Sequence, residues 1–188
     1  MRTLVLIDGF NVYHALDAIP EFHKYKWLNY EKLASVFVQS QDTIAKVTYF
    51  TAYAYWNEAK EQRHRTLVKA LRLNNIEIVF GKFKIKDRKC PLCKRKYQTY
   101  EEKMTDVNIA IYLFRAAVQN RFEKAILITG DTDLVPAITT IKEVFPNKLI
   151  GVVIPIGRKA KELHKVADFH RKMRPVHLAS CRFPETIN

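Results

Sequence analysis

The stretch LVLIDGFNVYHAL, residues 4–16, runs from four apolar residues into an aspartate that a glycine follows at once. A short apolar run of this kind is typical of a buried strand. A carboxylate at the end of a buried strand needs a partner for its charge, because an unpaired buried charge is costly. The partner of Asp8 therefore depends on which other segments end beside it.

Similar strand-like runs recur along the chain, and segments with helical spacing of apolar residues separate them. The predicted strands are residues 3–8, 46–55, 76–80, 124–129 and 148–155. The predicted helices are residues 29–41, 58–73 after a cap at Asn57, 105–119 and 134–145. In the third of these helices we expect an inward face made of Val107, Ala110, Ile111, Phe114 and Val118. Apolar strands that alternate with helices predict an α/β fold, a parallel sheet with helices on both faces.

Length favours a single domain over residues 1–188, with an insertion at 81–104 and a basic C-terminal extension at 157–188, helical over much of its length. The chain has 32 Lys and Arg against 19 Asp and Glu, a formal charge of +13. This excess favours a polyanionic partner, and the alternative is a basic but inert surface. Neither of the glycine-rich phosphate-binding motifs occurs, which argues against a nucleotide cofactor.

The same composition gives expectations about the compartment. No apolar run approaches the roughly 18–20 residues of a membrane span, and the first residues lack the pattern of a secretory signal. Three cysteines are too few for a disulfide framework. We therefore expect a protein of the reducing cytoplasm with no membrane partner.

Further aspartates are expected beside Asp8. The fourth predicted strand ends in LITGDTDLV, which places Asp131 and Asp133 at the same edge of the sheet. Asp106, at the start of the preceding helix, can point to the same place. Converging carboxylates repel one another unless a divalent cation binds them, and oxygen ligands alone suit Mg²⁺ or Mn²⁺ rather than zinc. The alternative is that these aspartates serve turns and helix caps.

Three segments carry a resemblance to a known family: VLIDGFNVY (5–13), EEKMTDVNIAIYL (101–113) and AILITGDTDLVPAI (125–138). In this order they resemble the signatures of NYN domains, which are PIN-like ribonuclease relatives, and within them the LabA-like bacterial proteins. The resemblance covers roughly residues 2–155. It implies a Rossmann-like sheet in which the five strands have the order 3-2-1-4-5, and metal-dependent endonucleolytic cleavage of RNA.

The resemblance also implies a catalytic set: Asp8, Asn11, Asp106, Thr129, Asp131 and Asp133. In it, Asp8, Asp106 and Asp131 hold the metal, Asn11 positions water or substrate, and Thr129 places a hydroxyl beside the metal. Glu101 and Glu102 lie just before the helix acid, and either supply an outer ligand or pair with Lys103.

The insertion at 81–104 breaks the alternation of strands and helices. Its basic residues are interleaved with rings such as Phe83, Tyr97 and Tyr100, a composition that suits single-stranded RNA. The alternative is a solvated edge whose lysines prevent strand-to-strand aggregation. The predicted nucleic-acid contacts are Lys82, Lys84, Lys86, Arg88, Lys94, Arg95 and Lys96, together with Arg158 after the fifth strand.

Cys90 and Cys93 have the CxxC spacing of half a zinc site, since tetrahedral zinc takes four ligands. The other half can come from His177 and Cys181 or from a second chain's CxxC, which would make a homodimer. The alternative is a pair of free thiols.

Together these observations favour a cytoplasmic, Mg²⁺- or Mn²⁺-dependent endoribonuclease that acts on single-stranded RNA. The alternative is a non-catalytic RNA-binding module that retains the acidic site. A phosphatase of the haloacid dehalogenase type ranks last, because that chemistry requires a second aspartate where this chain has Phe10.

Overall fold

The computed structural model describes residues 1–184, which form eight strands and seven α-helices. The strands are β1 (Arg2–Asp8), β2 (Thr43–Thr51), β3 (Glu77–Phe80), β4 (Lys82–Lys89), β5 (Lys96–Lys103), β6 (Lys124–Ile128), β7 (Leu149–Ile154) and β8 (Phe169–Lys172). The helices are α1 (Gly9–Asp17), α2 (Tyr30–Phe37), α3 (Glu58–Leu73), α4 (Thr105–Val118), α5 (Val135–Val144), α6 (Lys161–Val166) and α7 (Pro175–Ser180). Two short 3₁₀ helices cover Pro20–Tyr25 and Thr132–Leu134.

Six strands form one parallel sheet in the order β3-β2-β1-β6-β7-β8. The five strands predicted from the sequence therefore have the expected order 3-2-1-4-5, and the Rossmann-like α/β fold is confirmed. β1 lies at the centre, next to β6, so the two strands that end in the predicted site are direct neighbours. The chain switches direction at this pair, which is where open parallel sheets bind their ligands.

The sixth strand corrects one expectation. The segment 157–174 is not helical throughout, because helix α6 ends at Val166 and β8 then pairs in parallel with β7. The Phe169 ring fills the space above Gly151 on the neighbouring strand, where a side chain would overlap it. The rest of β8 is exposed and basic, as is typical of an edge strand.

Helices cover both faces of the sheet because the residues of each central strand alternate between two cores. Val5 and Ile7 of β1 face the core shared with α1, α2, α3 and α7. Leu4 and Leu6 face the core shared with α4, α5 and α6. Both faces of β1 are thus buried, and its polar end at Asp8 lies at the rim of both cores.

Helix α4 presents to the sheet a different face from the one predicted. Its buried side chains are Thr105, Ile109, Tyr112, Leu113, Ala116 and Ala117. The predicted inward residues Val107, Ile111, Phe114 and Val118 are instead exposed. The helix carries two apolar stripes, and periodicity alone does not tell which of them meets the sheet. The observed orientation turns Asp106, in the first turn, toward the carboxyl end of β1.

The insertion forms a separate two-stranded antiparallel ribbon of β4 and β5, with Lys82 opposite Lys103 at its base. The sequence CPLC makes its tip, at residues 90–93. Across residues 1–184, no helix combines the length and apolar character that crossing a membrane requires.

Candidate metal centre

Three carboxylates converge at the carboxyl edge of the sheet. Asp8 is the last residue of β1, Asp131 follows β6 by three residues, and Asp106 lies in the first turn of α4. One oxygen from each of them lies within 4.8 Å of the other two. Oxygens that share a Mg²⁺ or Ca²⁺ lie about 2.0–2.6 Å from it, and hence at most about 5 Å apart. The donor set therefore fits a single hard divalent cation.

Asp8 is held in place by two hydrogen bonds. It caps α1, because its Oδ1 accepts the backbone N–H of Asn11 at 2.9 Å, and its Oδ2 accepts the Thr129 hydroxyl at 2.9 Å. The turn into α1 requires a glycine at position 9, since a Cβ there would lie 2.5 Å from the Tyr49 ring. The DG pair thus brings the start of α1 against β2 and fixes the direction of the carboxylate.

The loop after β6 is tied to the same residues. Asn11 Oδ1 accepts the N–H of Gly130 at 2.8 Å, and Thr129 Oγ1 accepts the N–H of Asp131 at 3.0 Å. Asp131 Oδ1 in turn accepts the N–H of Asp133 at 3.0 Å. The cap and turn functions considered as alternatives are therefore present, and they coexist with the convergence of the carboxylates.

The electrostatics of this cluster oppose full ionisation without a cation. Asp8 is only 4% exposed, and burial raises its pKa to about 7, with a further contribution from the negative charges of Asp106 and Asp131. Burial also raises the pKa of Asp106 to about 6, with contributions from Asp131, Glu102 and Asp133. A divalent cation reverses this balance, because it favours the charged form of each ligand.

The remaining acids surround the cluster at different distances. Asp133 is exposed and acts on Asp106 through its charge. Glu102 is half-buried, and its carboxylate accepts the N–H of Thr105 at 3.2 Å. Glu101, by contrast, pairs with the ribbon cations Lys86, Arg88 and Lys103. Of the two glutamates considered from the sequence, only Glu102 adds to the field at the site.

A group of packed rings, the aromatic platform, begins two residues after Asp8. Its members are Phe10, Trp56, Phe83 and Tyr100. Phe10 packs edge-on against Phe83 with ring centres 5.3 Å apart, and Phe83 packs edge-on against Trp56 at 4.5 Å. Trp56 stacks on Tyr100 at 3.9 Å with an angle of 6° between the rings. Sequence reasoning missed Trp56, which lies in the loop between β2 and α3.

The predicted basic contacts lie on more than one surface. Lys82, Lys84, Lys86 and Arg88 alternate along β4 with Phe83 and Ile85, so these cations and the platform occupy opposite faces of the ribbon. Lys94, Arg95 and Lys96 are exposed at its tip. Arg158 lies at the carboxyl edge of the sheet, where its side chain approaches Gly130.

The structure does not bring Cys90 and Cys93 together with His177 and Cys181, which were one of the two sources considered for the other half of a zinc site. Cys90 and Cys93 lie at the tip of the ribbon, while Cys181 is buried in the core beside α2. His177 packs edge-on against Phe37 and accepts the N–H of Arg174 at 3.2 Å. Over residues 1–184, the three aspartates are the only His, Cys, Asp or Glu group of three or more that could hold a metal ion.

Comparison with known proteins relates the chain to one sequence family, to a characterised protein and to a solved structure. The sequence model described as the NYN domain matches residues 2–173. The chain is 29% identical to the 6-hydroxy-3-succinoylpyridine 3-monooxygenase HspA of Pseudomonas putida (strain DSM 28022 / S16) in an alignment that is 228 positions long. This alignment covers all of this chain and 72% of that protein. A crystal structure of VPA0982, a protein of unknown function from Vibrio parahaemolyticus RIMD 2210633, superposes with a TM-score of 0.66 at 19% identity and covers 93% of both chains. At that identity the likeness concerns the fold alone.

Proposed function

The chain belongs to the NYN domain family, and from this premise we propose that it is a metal-dependent endoribonuclease that hydrolyses phosphodiester bonds of single-stranded RNA. One observation carries the proposal. Three carboxylates from distant parts of the sequence meet at the switch point of the sheet, with one oxygen of each within 4.8 Å of the others. A protein gains no stability from crowding unneutralised carboxylates, so a cation and its chemistry explain the arrangement.

The cation would be held by Asp8, Asp106 and Asp131. Their oxygen ligands suit Mg²⁺ or Mn²⁺. When bound, such a cation lowers the pKa of water and neutralises negative charge on a phosphoryl group. Binding of the cation would also displace protons from Asp8 and Asp106, whose pKa values are about 7 and about 6 without a cation.

Asn11 and Thr129 act as positioning residues. The Thr129 hydroxyl donates to Asp8 and accepts from the backbone of Asp131, so one side chain orients ligands from two strands. The side-chain oxygen of Asn11 accepts the N–H of Gly130. The side-chain N–H₂ group of Asn11 is then left as an uncharged donor beside the cluster. Asp133 contributes negative charge at the rim.

Preference for a single strand rests on the aromatic platform. Bases stack on exposed rings once they are free of a pairing partner, and each such stack contributes about 1–3 kcal/mol. Trp56 is 36% exposed and stacks on Tyr100, and edge-on contacts through Phe83 connect it to Phe10, two residues after Asp8. Arg158 at the carboxyl edge of the sheet supplies a cation for phosphates, and the exposed lysines on the opposite face of the ribbon add to the positive field that attracts the strand.

The cytoplasm is the compartment we assign to this activity. Cys90, Cys93 and Cys181 are all free thiols, which suits a reducing environment.

The name of the curated relative supplies a second candidate function, the oxygenation of a substituted pyridine. One observation favours it: the match covers the whole of this chain. The stack of Trp56 on Tyr100 can also take a flat heterocycle in place of a base.

The test compares wild type with two matched variants. Asp8→Asn removes a predicted metal ligand, while Asp17→Asn makes the same change at the exposed last residue of α1, the helix that Asp8 caps, where the carboxylate pairs with Lys26. With labelled single-stranded RNA and Mn²⁺, we expect cleavage by wild type and Asp17→Asn, and none by Asp8→Asn or in excess EDTA. RNA affinity should persist in Asp8→Asn.

Each other outcome contradicts the proposal. Full cleavage by Asp8→Asn would mean that the carboxylates do not form the reaction site. RNA binding without any metal-dependent product would identify a non-catalytic binding module. Consumption of 6-hydroxy-3-succinoylpyridine that depends on O₂ and an added reductant, without RNA cleavage, would favour the oxygenase.

A further inference from the structure

We propose that Cys90 and Cys93 form half of a tetrahedral zinc site, which the same two cysteines of a second copy complete, so that two chains join at the tips of their ribbons. The site is separate from the carboxylate cluster. It does not depend on the proposed nuclease activity.

The tip of the ribbon is a tight turn closed by backbone hydrogen bonds. The N–H of Cys90 donates to the Arg95 carbonyl at 2.9 Å, and the N–H of Lys94 donates to the Cys90 carbonyl at 3.0 Å. Lys94 adopts a left-handed conformation with φ of 58°, which reverses the chain into β5. The turn thereby places Cys90 and Cys93 together at the tip of the ribbon.

Cys90 and Cys93 lie on one turn at the tip and are separated by two residues, which is the spacing at which a CxxC turn binds one zinc ion. Thiolate is the form that binds zinc, and zinc accepts two such sulfurs from one CxxC turn. The pair is accessible, since Cys93 is exposed and Cys90 is half-buried.

The chain does not supply the other two ligands. Cys181 is buried in the core, and within the described residues no third His, Cys, Asp or Glu joins the pair at the tip. Structural zinc takes four protein ligands, so the remaining two must come from another molecule. A second copy provides an identical pair, and two such pairs related by a two-fold axis give four sulfurs in an isologous contact.

Two further features of the tip suit a second copy. Leu92, between the cysteines, is 91% exposed, and a facing tip would cover this apolar side chain. The tip is also strongly basic, through Lys89, Lys94, Arg95 and Lys96. Two bare tips would repel each other, whereas one Zn²⁺ with four thiolates carries a charge of about −2, which attracts the surrounding cations. Association at the tips should therefore require zinc.

The experiment uses the full chain, purified with a thiol reductant and without chelator. We expect one zinc atom per two chains by elemental analysis and the mass of a dimer by light scattering. Removal of zinc with a chelator should give monomers, and returning Zn²⁺ should restore the dimer. Loading with Co²⁺ instead should give the absorption spectrum of a four-thiolate site.

Matched variants locate the site. The double variant Cys90→Ser, Cys93→Ser should lose zinc and dimerisation while its melting temperature as a monomer stays unchanged, because the tip is exposed. Cys181→Ala, a change at the third cysteine, should keep both. One zinc per monomer, no zinc, a Cys90–Cys93 disulfide under reducing conditions, or zinc retained by the double variant would each overturn the proposal. RNA cleavage by the zinc-free tip variant in the presence of Mn²⁺ would still test the nuclease separately.

Discussion

Replacing Asp8 with asparagine is expected to stabilise the metal-free protein above neutral pH, although it removes a residue essential to the proposed activity. The buried carboxylate binds its proton more tightly in the folded chain than in the unfolded chain, with a pKa of about 7 against 3.8. Stability therefore falls as pH rises from about 4 to about 7, and the loss is complete above pH 7. Asparagine is neutral at every pH and carries no such penalty.

The size of the effect follows from the shift of the pKa. A rise from 3.8 to about 7, at about 1.4 kcal/mol per unit, makes the charged carboxylate cost the folded state about 4 kcal/mol at pH 8. At pH 5 the cost is less than half of this, because most folded molecules then carry the proton. Asparagine can still accept the N–H of Asn11. We expect a gain of about 2–4 kcal/mol at pH 8, or roughly 5–15 °C in Tm.

Thermal unfolding in EDTA at pH 5 and pH 8 measures this difference. The control is Asp17→Asn, whose exposed carboxylate pairs with Lys26 and should give no gain at either pH. Addition of Mn²⁺ at pH 8 should raise the Tm of wild type and leave that of Asp8→Asn unchanged, because only the folded wild type binds the ion. An Asp8→Asn variant less stable than wild type at pH 8 without metal would refute the account of a strained, desolvated cluster.

Three further predictions address the site. Mn²⁺ affinity, measured by calorimetry, should weaken as pH falls from 7.5 to 5.5, since protons compete with the cation for Asp8 and Asp106, whose pKa values are about 7 and about 6. A Mn²⁺ affinity that does not change with pH would contradict ligation by these two carboxylates. Trp56→Ala should weaken the binding of single-stranded RNA by about 1–3 kcal/mol for each base lost from the platform. The affinity for duplex RNA, also measured by fluorescence anisotropy, should be nearly unchanged. Equal losses for both kinds of RNA would exclude stacking. Thr129→Val keeps the shape of the side chain and removes its hydrogen bonds to Asp8 and Asp131. It should lower the rate of RNA cleavage and reduce the free energy of unfolding in urea by about 1–3 kcal/mol. A variant with normal cleavage would show that Thr129 does not orient Asp8.

The parallel sheet could be predicted from the apolar pattern of the sequence, and the order of its strands from the resemblance to NYN domains. Apolar runs that alternate with helices predict parallel strands, and the carboxyl ends of such strands share an edge. Aspartates directly after two of these runs, at Asp8 and Asp131, must then be near each other if the strands are neighbours. The structure brings these two together with Asp106.

Other features depend on contacts between segments that periodicity does not record. Helix α4 has two apolar stripes, and the sheet selected Ile109 and Leu113 rather than Ile111. The aromatic platform joins rings from α1, the loop after β2 and both ribbon strands, which only the tertiary fold brings together. The separation of lysines and rings onto opposite faces of the ribbon, however, was already contained in the alternation of Lys82, Phe83 and Lys84.

The ribbon also sets a length scale. Strand β4 has eight residues, which at about 3.3 Å each makes an arm of roughly 25 Å between the tip and the base. Two chains joined tip to tip as proposed would hold their carboxylate clusters roughly 50 Å apart from base to base. If both clusters also cut RNA as proposed, two cuts made by one dimer in the same strand would be separated by at least this length of RNA, a minimum interval set by the ribbon and not by the nucleotide sequence.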